Sequence, residues 1–172
     1  NVFSPMGCRS FLSPWKDENG NYKFEGRFNQ GVVSINLPQI GIIADGDEDK
    51  FWKLLDERLE LCFEAIMCRH YALLGTTSDI SPVHWQYGAI ARLKPGEKID
   101  KLLYGGYSSI SLGYIGLYEV TKAMKGVSHT TKEGHDFALR VMKKLREKIE
   151  QWKKETNIGF ALYGTPAESL CY

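Results

Sequence analysis

The sequence has little that marks it for a membrane, for secretion or for nucleic acid. It contains no apolar run of about 18 residues, which excludes an ordinary transmembrane helix. Its first residues, NVFSPMG, lack the charged start and apolar stretch of a signal peptide. The formal net charge is only +1, so no overall basic field points to nucleic acid as a partner. A nucleotide could still bind at a local site.

Cysteine is scarce, and its spacing matches no metal or disulfide pattern. None of the four cysteines lies in a C-x-x-C pair, so neither a metal site nor a disulfide framework is predicted, and a reducing, cytoplasmic setting is expected. Cys62 and Cys68 are six residues apart on a predicted helix and should face different sides of it as small buried apolar residues. Cys8 differs, because it lies in SPMGCRSFLSPW, where prolines oppose regular structure.

The order of apolar segments predicts an α/β architecture with parallel strands, because long helices separate short apolar strands. We expect residues 1–172 to form a single partial domain of a longer chain, since apolar, structured-looking sequence reaches both ends. The predicted elements are a strand over 31–37 with a turn at Pro38, a helix over 50–74, a short helix over 84–91, a strand over 108–112, a helix over 113–124, a long helix to 155, a strand in NIGFALYG and a helix start in TPAES.

Turn and cap residues set the predicted helix ends. Asp47 or Asp49 can cap the first long helix, and Gly75 ends it. Thr130 and Glu133 fit the T-x-x-E capping box in front of the second long helix.

Three short segments carry the candidate sites, and each has a plain structural alternative. Cys8 is either the tip of a projecting loop, where Arg9 could lower its pKa, or a buried inert thiol. In GTPAES, Thr165 and the following residues form either an anion-binding helix start or an ordinary capping turn. In GRFNQG, Arg27 and Asn29 either face a cleft or belong to a polar turn before the strand.

Taken together, these fragments resemble one known family along essentially the whole chain. The segments MGCRSFLSPW, GRFNQGVVSINLPQIGI, FWKLLDERLELCFEAIMCRH, SPVHWQYGAIARL, YGGYSSISLGYIGLYEVTKAMKGVSHTT and NIGFALYGTPAESLCY closely resemble the catalytic subunit of anaerobic (class III) ribonucleoside-triphosphate reductases. The resemblance implies about half of a ten-stranded α/β barrel of the glycyl-radical-enzyme type. A cysteine-bearing finger loop would lie at the N-terminal end of this half.

The resemblance also implies the chemistry and the site residues. Cys8 matches the finger-loop thiol, which becomes a thiyl radical and takes the 3′ hydrogen of the ribose. Asn29 matches a polar contact to substrate or to formate, the expected reductant. Further candidates match the substrate pocket or the place where the phosphates bind; these are Met6, Ser10, Thr165, Ala167, Glu168 and Ser169.

Other parts of the family pattern are expected outside this chain. The radical-bearing glycine and the four-cysteine zinc site would follow Tyr172, and the site for ATP and deoxynucleotide effectors would precede Asn1. The fragment alone is therefore expected to bind no cofactor and to be inactive. The full-length protein would act on a ribonucleoside triphosphate, form a homodimer and require a radical-SAM iron–sulfur activating enzyme.

Two other functions stay open at this point. One is a glycyl-radical lyase of the pyruvate formate-lyase kind, which the phosphate-binding turn disfavours. The other is a non-catalytic nucleotide-binding or assembly module in which Cys8 is structural.

Overall fold

The structure is a computed structural model that describes residues 5–7, 10–12, 14–17 and 19–166; for residues 5–7, 10 and 11 it describes the backbone alone. The strands are β1 (Pro5–Gly7), β2 (Ser10–Phe11), β3 (Phe28–Asn36), β4 (Ser108–Ile115) and β5 (Gly159–Gly164). The helices are α1 (Leu37–Ala44), α2 (Glu48–Leu73), α3 (Pro82–Trp85), α4 (Leu117–Lys125) and α5 (Lys132–Thr156). Short 3₁₀ turns occupy Ser78–Ile80 and Asp100–Leu102.

The strands form two sheets. β1 and β2 pair antiparallel, with Pro5 opposite Phe11 and Gly7 opposite Ser10. The other three form a parallel sheet in the order β3-β4-β5. Helices α1 to α3 connect β3 to β4, and α4 and α5 connect β4 to β5, as parallel strands require. The expected α/β class with parallel strands is confirmed.

The chain divides into two compact units that share the three strands and the two long helices. Unit 1 comprises Asn1–Val32, Ile66–Ser111 and Trp152–Ala161; unit 2 comprises Val33–Ala65, Leu112–Gln151 and Leu162–Tyr172.

In unit 1, the loop after α3 folds over an apolar cluster. Its buried members are Trp85, Leu93, Ile99, Leu102 and Leu103. Phe28, at the start of β3, packs edge-to-face on Trp85 with the ring centroids 5.0 Å apart. This contact fixes the entry of β3 through an aromatic pair of favourable geometry.

In unit 2, α2 and α5 lie side by side and run in the same direction. Their buried stripes repeat at three and four residues, with Phe51, Leu55, Leu59 and Cys62 on α2 and Phe137, Val141, Leu145 and Ile149 on α5. At the edge of this contact, Asp56 pairs with Lys144 at 2.8 Å and Glu60 pairs with Lys148 at 2.6 Å. Both pairs join residues 88 apart in sequence, which fixes the common direction.

Glu48, in the first turn of α2, has two basic partners. Its carboxylate accepts hydrogen bonds from Arg140 and from Lys125. These bonds, that from Arg140 first, lower the pKa of Glu48 to about 2. The side chain is about a third exposed, so each pair adds only about 0–1 kcal/mol to stability.

Several predicted boundaries are corrected. Pro38 lies in the first turn of helix α1 and does not form the predicted non-helical turn, because proline fits the first positions of a helix. Asn36 caps this helix by accepting from the Gln39 N–H at 3.2 Å. Asp47 is confirmed as the cap of α2, accepting from the Lys50 N–H at 3.0 Å. The short helix α3 covers only four residues. Gly113 lies in β4, so α4 begins later than predicted.

The cap of α5 is displaced by one residue from the prediction. Thr131, not Thr130, accepts from the first-turn N–H of Gly134 at 3.2 Å. The predicted capping box with Glu133 is therefore wrong, since glycine occupies the third position after Thr131. Among the described helices, none combines the length and apolar character needed to cross a bilayer.

Candidate functional site

Asn29 lies within β3, not before the strand as predicted, and its carboxamide is held at three points. The Gly31 N–H donates to Asn29 Oδ1 at 2.7 Å. The amide nitrogen Nδ2 donates to Ser111 Oγ at 3.0 Å and lies 3.5 Å from Ser109 Oγ. These contacts determine which end of the carboxamide is oxygen, because a backbone N–H requires an acceptor and a hydroxyl can accept from the amide.

The two serines that hold Asn29 come from β4 and were not predicted as site residues. Ser109 and Ser111 are fully buried and, two residues apart on a strand, point to the same face. Buried polar groups need hydrogen-bond partners, and Asn29 supplies one to each serine. The signal in the sequence was the alternation of serine with apolar residues in SSISLG.

The opposite face of the same two strands carries a second buried network. Gln30 donates from Nε2 to Ser108 Oγ at 2.6 Å, and Ser108 donates to the Leu103 carbonyl at 2.8 Å. His70 Nδ1 lies 3.0 Å from Gln30 Oε1, which can only accept, so Nδ1 carries the proton. His70 is fully buried, and burial lowers its pKa from the usual 6.5. The imidazole is therefore neutral at neutral pH.

The segment that enters β3 is attached to the turn at residues 105–107. Arg27 Nε donates to the Gly106 carbonyl at 2.6 Å, and the Phe28 N–H donates to the Tyr107 carbonyl at 3.0 Å. The indole of Trp15 lies so close to Gly106 that a Cβ there would overlap it. Arg27 is buried, which lowers its pKa, and its guanidinium donates to the main-chain carbonyls of Gly106 and Lys23.

Thr165 follows β5 directly and is held by two contacts in unit 2. Its N–H donates to the Tyr114 carbonyl at 2.9 Å, which prolongs the ladder between β5 and β4. Its hydroxyl lies 2.7 Å from Ser34 Oγ, at an exposed position near the end of β3. The carboxyl-terminal ends of parallel strands are where ligands bind in many α/β proteins, so the location suits a binding role.

Other predicted site residues fall where little or nothing is described. Cys8, Ala167, Glu168 and Ser169 lie outside the described residues, and so does the predicted helix start after Pro166. Met6 and Ser10 lie in the paired strands β1 and β2. Asn29 and Thr165 are thus the predicted site residues whose side-chain contacts are described.

Cys62 and Cys68, the cysteines that the structure describes, do not form a zinc site. Cys62 is buried, which raises the pKa of its thiol, whereas Cys68 is exposed and does not fit the buried position predicted for it. Across the described ranges, no three His, Cys, Asp or Glu side chains converge as metal ligands would. Zinc therefore has no fitting donor set in the described part of the chain.

Comparison with known proteins gives a consistent result. The family model for anaerobic ribonucleoside-triphosphate reductase matches residues 1–172. The proteins of that name from Salmonella typhimurium and Enterobacteria phage T4 are each 44% identical to this chain over 98% of its length. The match covers 24% and 27% of those proteins respectively, so the chain spans about a quarter of the length of these curated relatives.

Solved structures share the fold. The anaerobic ribonucleotide reductase from Thermotoga maritima, solved with citrate in the active site, matches with a TM-score of 0.62 and 20% identity. That match covers 91% of this chain and 27% of the other. The same protein in complex with dATP and CTP matches with a TM-score of 0.59 and 19% identity over 88% of this chain and 24% of the other.

Proposed function

Because the chain belongs to the anaerobic ribonucleoside-triphosphate reductase family, we propose that it is the segment of a longer reductase that carries the radical-forming thiol, Cys8. The full-length protein converts ribonucleoside triphosphates to deoxyribonucleoside triphosphates under anaerobic conditions. The observation that carries the proposal is the match of the family model to all 172 residues. Since the chain spans about a quarter of its relatives, this activity belongs to the full-length protein.

Cys8 is the tip of a finger loop, and the parallel sheet is part of a ten-stranded barrel. The antiparallel pairing of β1 with β2 supports the loop, because residues 8 and 9 are the two residues between the paired strands. The crossover connections β3–α1/α2/α3–β4 and β4–α4/α5–β5 support the barrel.

The reaction replaces the 2′ hydroxyl of the ribose by hydrogen. The Cys8 sulfur takes the hydrogen atom from C3′, the 2′ oxygen leaves as water, and the hydrogen returns to C3′ after reduction. Formate supplies the two electrons and leaves as carbon dioxide, so one triphosphate, one formate and one proton give one deoxyribonucleotide, one water and one carbon dioxide. A glycyl radical elsewhere in the full-length protein supplies the unpaired electron. The protein's task is position and exclusion of water.

Asn29 contacts the substrate or formate through its carboxamide. Support comes from its three-point attachment to Gly31, Ser109 and Ser111, which holds the group in one orientation before a ligand arrives. Preorganised polar groups cost no reorganisation when the reaction occurs. Met6 and Ser10, on either side of Cys8 in the sequence, line the same pocket.

Residues after β5 bind the substrate phosphates. The contacts proposed for Thr165, Ala167, Glu168 and Ser169 use main-chain N–H groups and the two hydroxyls, and not the Glu168 carboxylate, whose charge would repel phosphate. The attachment of Thr165 to Tyr114 and Ser34 supports this role, since it fixes the start of the binding segment. The Thermotoga maritima relative was solved with the nucleotides dATP and CTP.

The other requirements of the reaction belong to the rest of the full-length protein. These are the zinc site, the ATP and deoxynucleotide effector site, the homodimer contact and the contact with the radical-SAM activating enzyme.

The decisive experiment is Cys8→Ser in the activated full-length protein. Deoxyribonucleotide formation should fall below detection, because a serine hydroxyl cannot take over hydrogen-atom transfer from the thiol. Cys68→Ser is the matched control, since this cysteine is exposed and turnover should be unchanged. Unaltered turnover in Cys8→Ser would overturn the proposal and leave Cys8 with a structural role.

A further inference from the structure

Two fully buried hydroxyls on β4 converge on the one described polar side chain of the proposed reaction pocket. Ser109 and Ser111 have no exposed surface, whereas Asn29 is partly exposed. Asn29 Nδ2 donates to Ser111 Oγ at 3.0 Å, and Ser109 Oγ lies 3.5 Å away. The serines are therefore more deeply buried than the Asn29 carboxamide that they contact.

We propose that Ser111, assisted by Ser109, is a positioning residue that fixes the orientation of the Asn29 carboxamide for ligand binding. The inference rests on the proposed function, because it assumes that Asn29 contacts the nucleotide or formate. It adds two residues of β4 to the proposed site.

The physical need for such residues lies in the carboxamide itself. The last torsion of an asparagine side chain is broad and roughly two-fold, so its oxygen and nitrogen can exchange places at little cost. The Gly31 N–H, at 2.7 Å from Oδ1, selects one orientation from the oxygen side. A hydroxyl can donate or accept, so Ser111 does not choose between the two ends; in the orientation set by Gly31 it accepts from Nδ2 and anchors the nitrogen side. Together the two contacts hold the carboxamide where a ligand must find it.

If Ser111 had only a structural role, its loss would lower stability without weakening ligand binding. Ser108 provides a comparison for this alternative. Ser108, on the other face of the same strand, is also fully buried and also accepts from a carboxamide, that of Gln30, at 2.6 Å. Removing either hydroxyl leaves a buried amide without one partner and should destabilise the protein similarly. Only the loss of Ser111 should affect a ligand held by Asn29.

The test is a double-mutant cycle on ligand binding in the full-length protein before activation, when no turnover interferes. Dissociation constants for the ribonucleoside triphosphate and for formate are measured for wild type, Asn29→Ala, Ser111→Ala and the double variant. Asn29→Ala should weaken one of these ligands about tenfold and Ser111→Ala about three- to tenfold, the range expected for one hydrogen bond. The double variant should bind no more weakly than Asn29→Ala, because Ser111 acts only through Asn29.

Two further variants make the outcome decisive. Ser108→Ala should lower the melting temperature as much as Ser111→Ala while leaving the dissociation constants within about twofold, inside the spread of additive effects. Ser109→Ala should weaken binding less than Ser111→Ala, in keeping with its longer contact. The inference is overturned if Ser111→Ala binds like Ser108→Ala, if its effect adds to that of Asn29→Ala, or if Asn29→Ala weakens neither ligand. The first two outcomes leave the proposed function intact. The third would also remove the ligand contact proposed for Asn29, but not the role of Cys8, which fails only if Cys8→Ser retains turnover.

Discussion

Gly106 is a residue at which the backbone and a neighbouring side chain jointly restrict substitution. Its φ of +80° lies in the left-handed region, and a Cβ would overlap the indole ring of Trp15. We expect Gly106→Ala to cost about 1 kcal/mol in backbone strain and, in addition, to displace Trp15. Amide hydrogen exchange in residues 15–17 and 104–107 of the full-length protein should accelerate, and turnover should fall, because this turn holds the segment that leads into Asn29.

The adjacent glycine provides the control for that experiment. Gly105 has a φ of +59°, but a Cβ there would meet no atom within 4 Å. Gly105→Ala should therefore show the backbone strain alone and leave exchange near Trp15 almost unchanged. Equal effects of the two substitutions would contradict the packing argument.

His70 should make local stability depend on pH in one direction. Burial lowers the pKa of the folded imidazole below 6.5, so the folded state binds fewer protons than the unfolded state between these two values. The stability that depends on neutral His70 is fully present above pH 6.5 and is lost as the pH falls from there toward the folded pKa. The slope can reach about 1.4 kcal/mol per pH unit within that window.

The measurement is the free energy of local opening of residues 66–73, from amide exchange corrected for its intrinsic pH dependence. His70→Asn should remove the pH slope, while the asparagine amide can still donate to Gln30. His135→Asn, at an exposed position, tests whether the slope belongs to His70. If the pH dependence of local opening persists in His70→Asn but disappears in His135→Asn, it belongs to His135 and not to His70.

At the scale of single residues, the sequence offers candidate functional groups but does not show which groups hold them. Asn29 and Thr165 are candidates from the local pattern and from the resemblance, and both have well-defined polar contacts. The contacts of Asn29 with Ser109 and Ser111 depend on the register of β3 against β4, across 80 or more residues of sequence. Local patterns show which face a serine occupies but not what lies opposite it on the next strand.

At the start of α5, two neighbouring threonines are candidates for the residue that caps the helix. Thr131 accepts from the Gly134 N–H, whereas the Thr130 hydroxyl lies 2.9 Å from Ser128 Oγ in an exposed turn. Thr131→Ala should destabilise the first turns of α5 by about 1 kcal/mol, because the Gly134 N–H loses its acceptor. Amide exchange over residues 136–140 of the full-length protein should rise about fivefold, the equivalent of that free energy.

Thr130→Ala is the matched control for the cap. It removes a hydroxyl of the same kind one residue earlier and should change exchange in α5 by less than about twofold, as most surface substitutions do. If Thr130→Ala has the larger effect, the capping box predicted from the sequence is correct and the observed cap is not.

Among the helices and strands, the spacing of apolar residues identifies the buried faces of helices but not the residues at which elements begin and end. The apolar residues spaced three and four apart on α2 and α5 mark the buried faces, since Phe51, Leu55, Phe137 and Val141 are all fully buried. The turn predicted at Pro38 is instead the start of α1, because proline both ends a strand and begins a helix well. The apolar residues after Pro38 favour the helix, because residues such as Ile40 are buried in it.

At the scale of the whole molecule, the α/β class followed from element order, but the division into two units did not. The boundaries of the units fall inside β3, β4, β5, α2 and α5, so no linker or change in composition marks them in the sequence. The ten-stranded barrel remains a proposal, since the chain spans about a quarter of its curated relatives.

The same incompleteness leads to a prediction about the isolated chain. In the described part of the chain, β3 and β5 form the two outer positions of the parallel sheet, so each has an edge with no pairing strand in that sheet. Unpaired edges favour association between molecules. We therefore expect the purified 172-residue chain to self-associate, which light scattering at increasing concentration will measure.

The isolated chain should also make no deoxyribonucleotide. The reaction proposed for Cys8 needs an unpaired electron from a glycyl radical that the resemblance places outside these residues, so positioning alone cannot give turnover. The assay is anaerobic incubation with a ribonucleoside triphosphate, formate and the activating enzyme, with product measured by mass spectrometry and the activated full-length protein as positive control. Product from the isolated chain that is abolished by Cys8→Ser would show that the radical is generated within these 172 residues, and the proposed division of labour would then be wrong.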